Sequence, residues 1–255
     1  MVDMPPVPAN GTPRMSRCEA GDGEPGRVMD VVRAVCSRLP EPAAEHRWVL
    51  PREPTSLERF LRSLGPRHRD ATLENFHPPN VAAEKALASL RTYADLLDDH
   101  LDRGTGILLF GPAGTGKDHL LAALAKTVAA GGRWVRRITG PEIFRMMRDA
   151  MAGGEESNRL ESLKYPAVLI LSDPLPPLGV LTAYQAAVLY ELVDYRWQRR
   201  LPIWCSLNVN GAMEADQRLG AAITDRLQDG ALVVHCSWPG RRKPWRVLAG
   251  GGGVP

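Results

Sequence analysis

Long apolar runs, clustered cysteines, internal repeats and a strong excess of one charge are all missing from this 255-residue chain. No stretch approaches the roughly 20 apolar residues that a membrane-spanning helix needs. Segment 1–26 has no apolar core behind a basic start, so no signal peptide is read there and a cytoplasmic protein that engages no membrane is expected. The four cysteines, Cys18, Cys36, Cys205 and Cys236, are too scattered to define a disulfide framework, and reduced thiols are expected. A net charge of only +3 permits contact with nucleic acid without requiring it. Most of the positive charge is arginine, which suits phosphate recognition, although genomic base composition produces the same bias. A hydrophobic content of 44% is ordinary for a soluble chain and sufficient for a real core.

Segment 1–26 is rich in Pro, Gly and Asp, a composition that cannot offset the entropy of ordering, and reads as a disordered tail. Residues 27–70 carry helical patches (Leu57, Phe60, Leu61, Leu64) interrupted by prolines at 40, 42, 51 and 54, and read as a small separate region with little core of its own. Segment 249–255 reads as a loose tail. Between them, 71–248 reads as one domain. Periodicity predicts a helix over 81–101, with Ala82, Ala86, Leu90, Tyr93, Leu97 and Leu101 near one face. Strands then alternate with helices: strands at 107–110, 133–138, 167–171, 202–207 and 231–235, helices at 117–130, 141–152, 182–199 and within 211–228. Such a series builds a parallel sheet with helices on both faces.

Gly111-Pro112-Ala113-Gly114-Thr115-Gly116-Lys117-Asp118 follows the apolar run at 107–110 and opens a helical pattern. Glycines let successive backbone N–H groups converge on phosphate oxygens, the helix start adds its dipole, and Lys117 adds a full charge. The expected ligand is a nucleoside triphosphate. A glycine turn preceding a helix by chance is the bland alternative, but Leu120, Leu121, Leu124 and Val128 supply the helix the motif requires. The residue after the lysine is usually Ser or Thr, whose hydroxyl binds magnesium. Here it is Asp118, so the loop implies nucleotide binding and leaves hydrolysis open.

A second apolar strand ends in Ser172-Asp173, where a phosphate-loop ATPase places the acids that face magnesium and the attacking water. Serine stands first where an acid is usual. The two departures suggest an exchange, in which Asp118 supplies the carboxylate that Ser172 lacks and the Ser172 hydroxyl takes the role of the missing loop hydroxyl; against it, a carboxylate beside a triphosphate repels it unless a cation intervenes. Asn208, after the fourth strand, is placed either to orient water near the terminal phosphate or as a turn residue in Asn208-Val209-Asn210-Gly211. Arg226 ends a helical piece, and an arginine there can serve a neighbouring subunit's phosphate. Cys18 and Cys36 resemble half of a zinc ribbon, but two thiolates do not make a structural zinc site and no metal is expected there.

Taken together the residues resemble the DnaC/IstB family of AAA+ ATPases, which comprises replicative helicase loaders and related transposition helper ATPases. The resemblance covers about 71–246. It rests on Ala71-Thr72-Leu73-Glu74-Asn75-Phe76, on the loop with His119-Leu120 after it, and on Asp225-Arg226-Leu227 followed by Trp238-Pro239-Gly240-Arg241-Arg242. It implies an α/β AAA+ P-loop NTPase fold with a short N-terminal extension, and ATP with Mg2+ as cofactors. Nucleotide contacts would come from 111–118, His119 and Arg242, the last being, with Arg241, a candidate second sensor. Asp173, Asn208 and Arg226 would be catalytic, as water-polarising acid, first sensor and arginine finger. Asp118, Ser172 and Asp173 would face the metal.

The same resemblance implies a homo-oligomer that binds single-stranded DNA through about 141–164, where Arg145, Arg148 and Arg159 would meet phosphates. It also implies a replicative helicase as partner, with 27–70 as the candidate docking region. Two alternatives stay open: a transposition helper that binds duplex DNA and recruits a transposase, and a nucleotide-binding adaptor with little turnover, suggested by Asp118 and Ser172.

Overall fold

The computed structural model of the chain describes residues 53–152 and 156–240. The expected tails, Cys18, Cys36, Arg241 and Arg242 lie outside those residues. No helix among the described residues is long and apolar enough to cross a membrane.

Five strands form one parallel sheet: β1 Ile107–Phe110, β2 Val135–Thr139, β3 Val168–Ser172, β4 Ile203–Leu207 and β5 Leu232–His235. Their order across the sheet is β2-β3-β4-β1-β5. Every residue of β3 and β4 is buried, as expected of central strands covered on both faces. Alternation along β3 sends Val168 and Ile170 into one apolar layer and Leu169 and Leu171 into the other. In parallel register Thr139 pairs with Ser172, and Ser172 with Ser206, so three hydroxyl residues stand in a row where β2, β3 and β4 end.

The first layer includes α1 (Ser56–Ser63), α3 (Val81–Asp95) and α5 (Lys117–Ala130), with a short α2 (Pro66–Arg69) and α4 (Leu97–Arg103) beside them. The second includes α6 (Gly140–Met151), α8 (Ala183–Gln198), α9 (Ala212–Leu219) and α10 (Ala221–Gln228). Between α6 and β3 come α7 (Glu156–Glu161) and a 3-10 turn, Ser162–Lys164, neither foreseen from the sequence.

Three differences from the sequence reading have clear causes. Segment 81–101 is two helices, because the chain leaves helical geometry at Leu96 (φ −114°, ψ 30°). Asn80 caps the first of them by accepting from the Ala83 N–H, and Ala83, with Ala82 exposed, faces the core. The border drawn at 70 also falls inside a folded unit. The unit that contains the sheet begins at Glu53, and Phe60 and Leu64 join the same apolar core as Leu120 and Leu124 of α5. Short helices too small for a core of their own gain stability by adding to a larger one. A Thr55–Glu58 capping box fixes where α1 starts.

Candidate functional site

The sheet delivers β1 into the phosphate loop at the carboxyl end of the strands, the usual place for ligands in open α/β sheets. Gly111 has φ 142°, and a Cβ there would lie 2.4 Å from the Cys236 carbonyl oxygen. Gly116 has φ 96°, and its Cβ would lie 2.8 Å from the Phe76 ring. Both positions therefore need glycine for space as well as for conformation. Lys117, a residue only 6% exposed, donates through its ammonium to the carbonyl oxygens of Gly111 and Pro112 at 2.8 Å each. Behind the loop, Trp238 Nε1 donates to the Thr115 carbonyl at 2.8 Å. Burial pushes the Cys236 thiol up to about 12, so it behaves as an inert apolar side chain.

Residues 71–76 close the site from the other side. The Thr72 N–H donates to Asn75 Oδ1 at 2.9 Å, and the Asn75 N–H donates to Thr72 Oγ1 at 3.1 Å, a reciprocal turn that presents Phe76. Phe76 is buried, with ring centroids 5.9 Å from His119 and 6.4 Å from Trp238. His119 Nε2 lies 3.0 Å from the Thr72 carbonyl oxygen, which requires the proton on Nε2. Lys126 of α5 donates to the Ala71 carbonyl at 2.6 Å and also to that of Arg69. His119, singled out as a nucleotide contact, thus also ties α5 to the turn that carries Phe76.

A cavity of about 570 Å³ opens against the loop and reaches Asp118, Asp173, Ser206 and Asn208. Arg67 and His68 of α2 line it as well. Sequence reading missed both, because only tertiary docking brings α2 over the start of α5. Burial lowers the His68 pKa below 6.5, and its Nδ1 is buried with no partner among the described residues.

Beyond the loop, the Asn208 side-chain amide donates to Asp173 Oδ2 at 2.6 Å, and the Asn208 backbone N–H to Asp173 Oδ1 at 3.2 Å. Asp173 sits at φ 49°, left-handed backbone that aspartate tolerates better than most residues. Room for that turn depends on Gly140, where a Cβ would stand 2.2 Å from the Asp173 carbonyl oxygen. Asp118 Oδ1 accepts from the Ser206 hydroxyl at 2.7 Å, and Asp118 Oδ2 lies 3.6 Å from an Arg137 nitrogen. Ser172, the expected exchange partner of Asp118, has a buried hydroxyl with no partner among the described residues. The carboxylate thus leans on β4 and β2 rather than on Ser172.

Magnesium asks for near-octahedral oxygen ligands free to turn towards it. At Asp118 both carboxylate oxygens face protein donors, and at Asp173 both accept from Asn208. The Ser172 hydroxyl alone is unengaged, and a guanidinium already stands beside the Asp118 carboxylate. This donor set fits a divalent ion poorly.

The remaining sequence candidates lie apart. Arg226 shares a cavity with Gly106, Ile203 and Ala231, where strands begin, at the opposite end of the sheet from the loop. There its Nε donates to Asp194 at 2.7 Å and a terminal nitrogen to the Tyr190 hydroxyl at 2.8 Å. Arg145 and Arg148 are exposed on α6, and Arg159 is exposed on α7.

Comparison with known proteins agrees with this geometry. The family model described as IstB-like ATP binding protein matches residues 46–246. The replicative helicase loader DnaC of Escherichia coli is 28% identical over 189 residues, covering 72% of this chain and 74% of that protein. An ATP-binding protein from an insertion sequence of Mycobacterium tuberculosis is 36% identical over 151 residues, covering 57% and 55%. Among solved structures, the DnaC helicase loader superposes with a TM-score of 0.60 at 20% identity, covering 67% of this chain and 99% of that one. AMPPCP-bound DnaA from Aquifex aeolicus gives 0.56 at 19%, covering 68% and 51%. The phosphate loop, the parallel sheet order and a family match over most of its length make this chain a member of the IstB-like ATP-binding proteins, within the DnaC/IstB group of AAA+ P-loop domains.

Proposed function

We propose that this chain is an ATP-controlled protein of DNA replication that binds single-stranded DNA as a homo-oligomer and delivers a replicative helicase to it. The observation that carries the reading is the loop with Lys117, clamped between the Phe76 turn and Trp238, in a chain similar to the DnaC loader over most of its length. ATP occupies the cavity with its phosphates on the loop amides and Lys117. Asp173, oriented by Asn208, faces the terminal phosphate and polarises the attacking water. Arg226 sits too far from its own loop to touch that phosphate, which suits a role as arginine finger in a neighbouring subunit. Arg242 contributes as a second sensor. Arg145 and Arg148, three residues apart on the exposed side of α6, and Arg159 after them, hold DNA phosphates.

Hydrolysis is slow, because Asp118 and Ser172 replace the usual hydroxyl and acid and because Asn208 occupies both Asp173 oxygens. The protein persists in its ATP state until DNA or a partner releases it. The test is binding of single-stranded oligonucleotides with ATP present, over a range of salt. The wild type is expected to show a steep slope that Arg145→Ala with Arg148→Ala flattens by about two phosphate contacts. An unaltered slope removes α6 from the DNA path. A second reading, the transposition helper, is favoured by the M. tuberculosis relative. Tighter binding to duplex than to single strands would select it.

A further inference from the structure

The family resemblance leaves one feature of the site unexplained. Asp118 puts a negative charge where a triphosphate must lie, and repulsion there has to be cancelled by a cation. The structure supplies one from β2. The Arg137 side chain is only 14% exposed, and one of its terminal nitrogens lies 3.6 Å from Asp118 Oδ2. At that separation the contact is an ion pair and not a hydrogen bond. A guanidinium has five N–H donors, and none of Arg137's is hydrogen-bonded among the described residues. None of its nitrogens is fully buried, and its partner Asp118 lines the cavity against the loop. A sheltered guanidinium with idle donors beside an anion site is unusual, since side chains of this kind normally find acceptors.

Three further observations point the same way. The Ser206 hydroxyl holds the other Asp118 oxygen at 2.7 Å, which fixes the carboxylate and with it the guanidinium. Ser172 contributes no charge where an acid would attract a metal. Asp173 is engaged twice by Asn208.

We propose that Arg137 is the built-in cation of the phosphate site, binding the triphosphate where related sites rely on a divalent metal. The inference rests on the nucleotide reading above. Guanidinium matches phosphate geometry with paired N–H groups and stays charged at any working pH. Asp118 then has the role of a holder, keeping Arg137 in place and partly neutralised until nucleotide arrives.

The test is ATP affinity of the full chain by calorimetry, in excess EDTA and in excess magnesium. Wild-type affinity should differ by less than about threefold between the two buffers. Arg137→Met should lose about tenfold or more in EDTA, the scale of one charge-assisted hydrogen bond. Arg137→Lys should recover part of that loss. Asp118→Asn should tighten binding in EDTA several-fold, because it releases Arg137, whereas a metal-ligand role for Asp118 predicts weaker binding in magnesium.

Circular dichroism checks that each variant is folded; should Arg137→Met fail to fold, Arg137→Lys and Asp118→Asn still decide. A wild type weakened more than about tenfold by EDTA would overturn the proposal. So would unchanged affinity in a folded Arg137→Met. Binding in magnesium alone would overturn this inference and leave the nucleotide reading intact, while no binding in either buffer would end both.

Discussion

Arg196 and Arg137 are both sheltered guanidinium groups, yet they lie at opposite ends of the strands and are treated in opposite ways. Arg196, on α8, is fully buried and donates to the carbonyl oxygens of Leu163, Lys164, Pro166 and Pro202 at 2.9–3.3 Å. Burial lowers its pKa to about 10, and the four carbonyls keep it charged without a carboxylate. Two of those carbonyls belong to residues just ahead of β3 and β4, so this arginine pins the entries of the central strands. Arg137 has the Asp118 carboxylate at 3.6 Å, that of Glu142 within electrostatic reach, and no hydrogen bond among the described residues. The Nε of Arg196 is buried without a partner among the described residues, but both its terminal nitrogens are held by carbonyls, and a cation held in that way serves structure. One whose donors are idle, beside a carboxylate that lines the cavity, is the kind a ligand can engage, as proposed above for Arg137.

Substitutions can break that contrast. Arg196→Met should have the largest effect on stability, about 3–5 kcal/mol in denaturant unfolding, because four carbonyls lose their donor inside the fold. Gly140→Ala should cost about 2–3 kcal/mol, since a Cβ 2.2 Å from the Asp173 carbonyl oxygen forces β3 and α6 apart. It should also weaken any dependence of turnover on Asn208.

Arg137→Met should change unfolding free energy by less than about 1 kcal/mol while altering nucleotide affinity, the reverse of Arg196→Met. A loss of stability as large as at Arg196 would erase the distinction between the two.

The smallest expected effect concerns His68. Its folded pKa lies below 6.5, so the unfolded chain binds the proton more readily. The stability it contributes is fully present above pH 6.5 and declines as the pH falls through that value towards the folded pKa. His68→Gln should remove that part of the slope in unfolding curves between pH 7 and 5, and an unchanged slope would show that another group is responsible.

The sheet was legible because each strand is a short apolar run between turn signals, and the loop glycines fixed which strand leads into the ligand. Strand ends fell within two residues of the expected ones, as with 133–138 against Val135–Thr139. Asp173 and Asn208 were recognisable as spatial neighbours because both follow central strands, and the structure joins them by two hydrogen bonds. The partners of Asp118 were not. Ser206 and Arg137 approach it only through the parallel register of β4 and β3 and the placement of β2 at the edge, and no local pattern encodes that. The docking of 53–70 was hidden for a related reason: Phe60 and Leu64 make an ordinary helical stripe whose destination is a core built by residues far along the chain. At Leu96 the periodicity ran smoothly through a backbone break that side-chain spacing cannot report.

Binding of ATP to the full chain, compared with a folded Lys117→Ala variant, puts the phosphate loop itself to the test. The loop geometry predicts saturable one-site binding in the wild type and at least a hundredfold weaker binding in the variant, about 3 kcal/mol for a buried ammonium on phosphate. Equal affinity in the two proteins, or no heat from either, would contradict it.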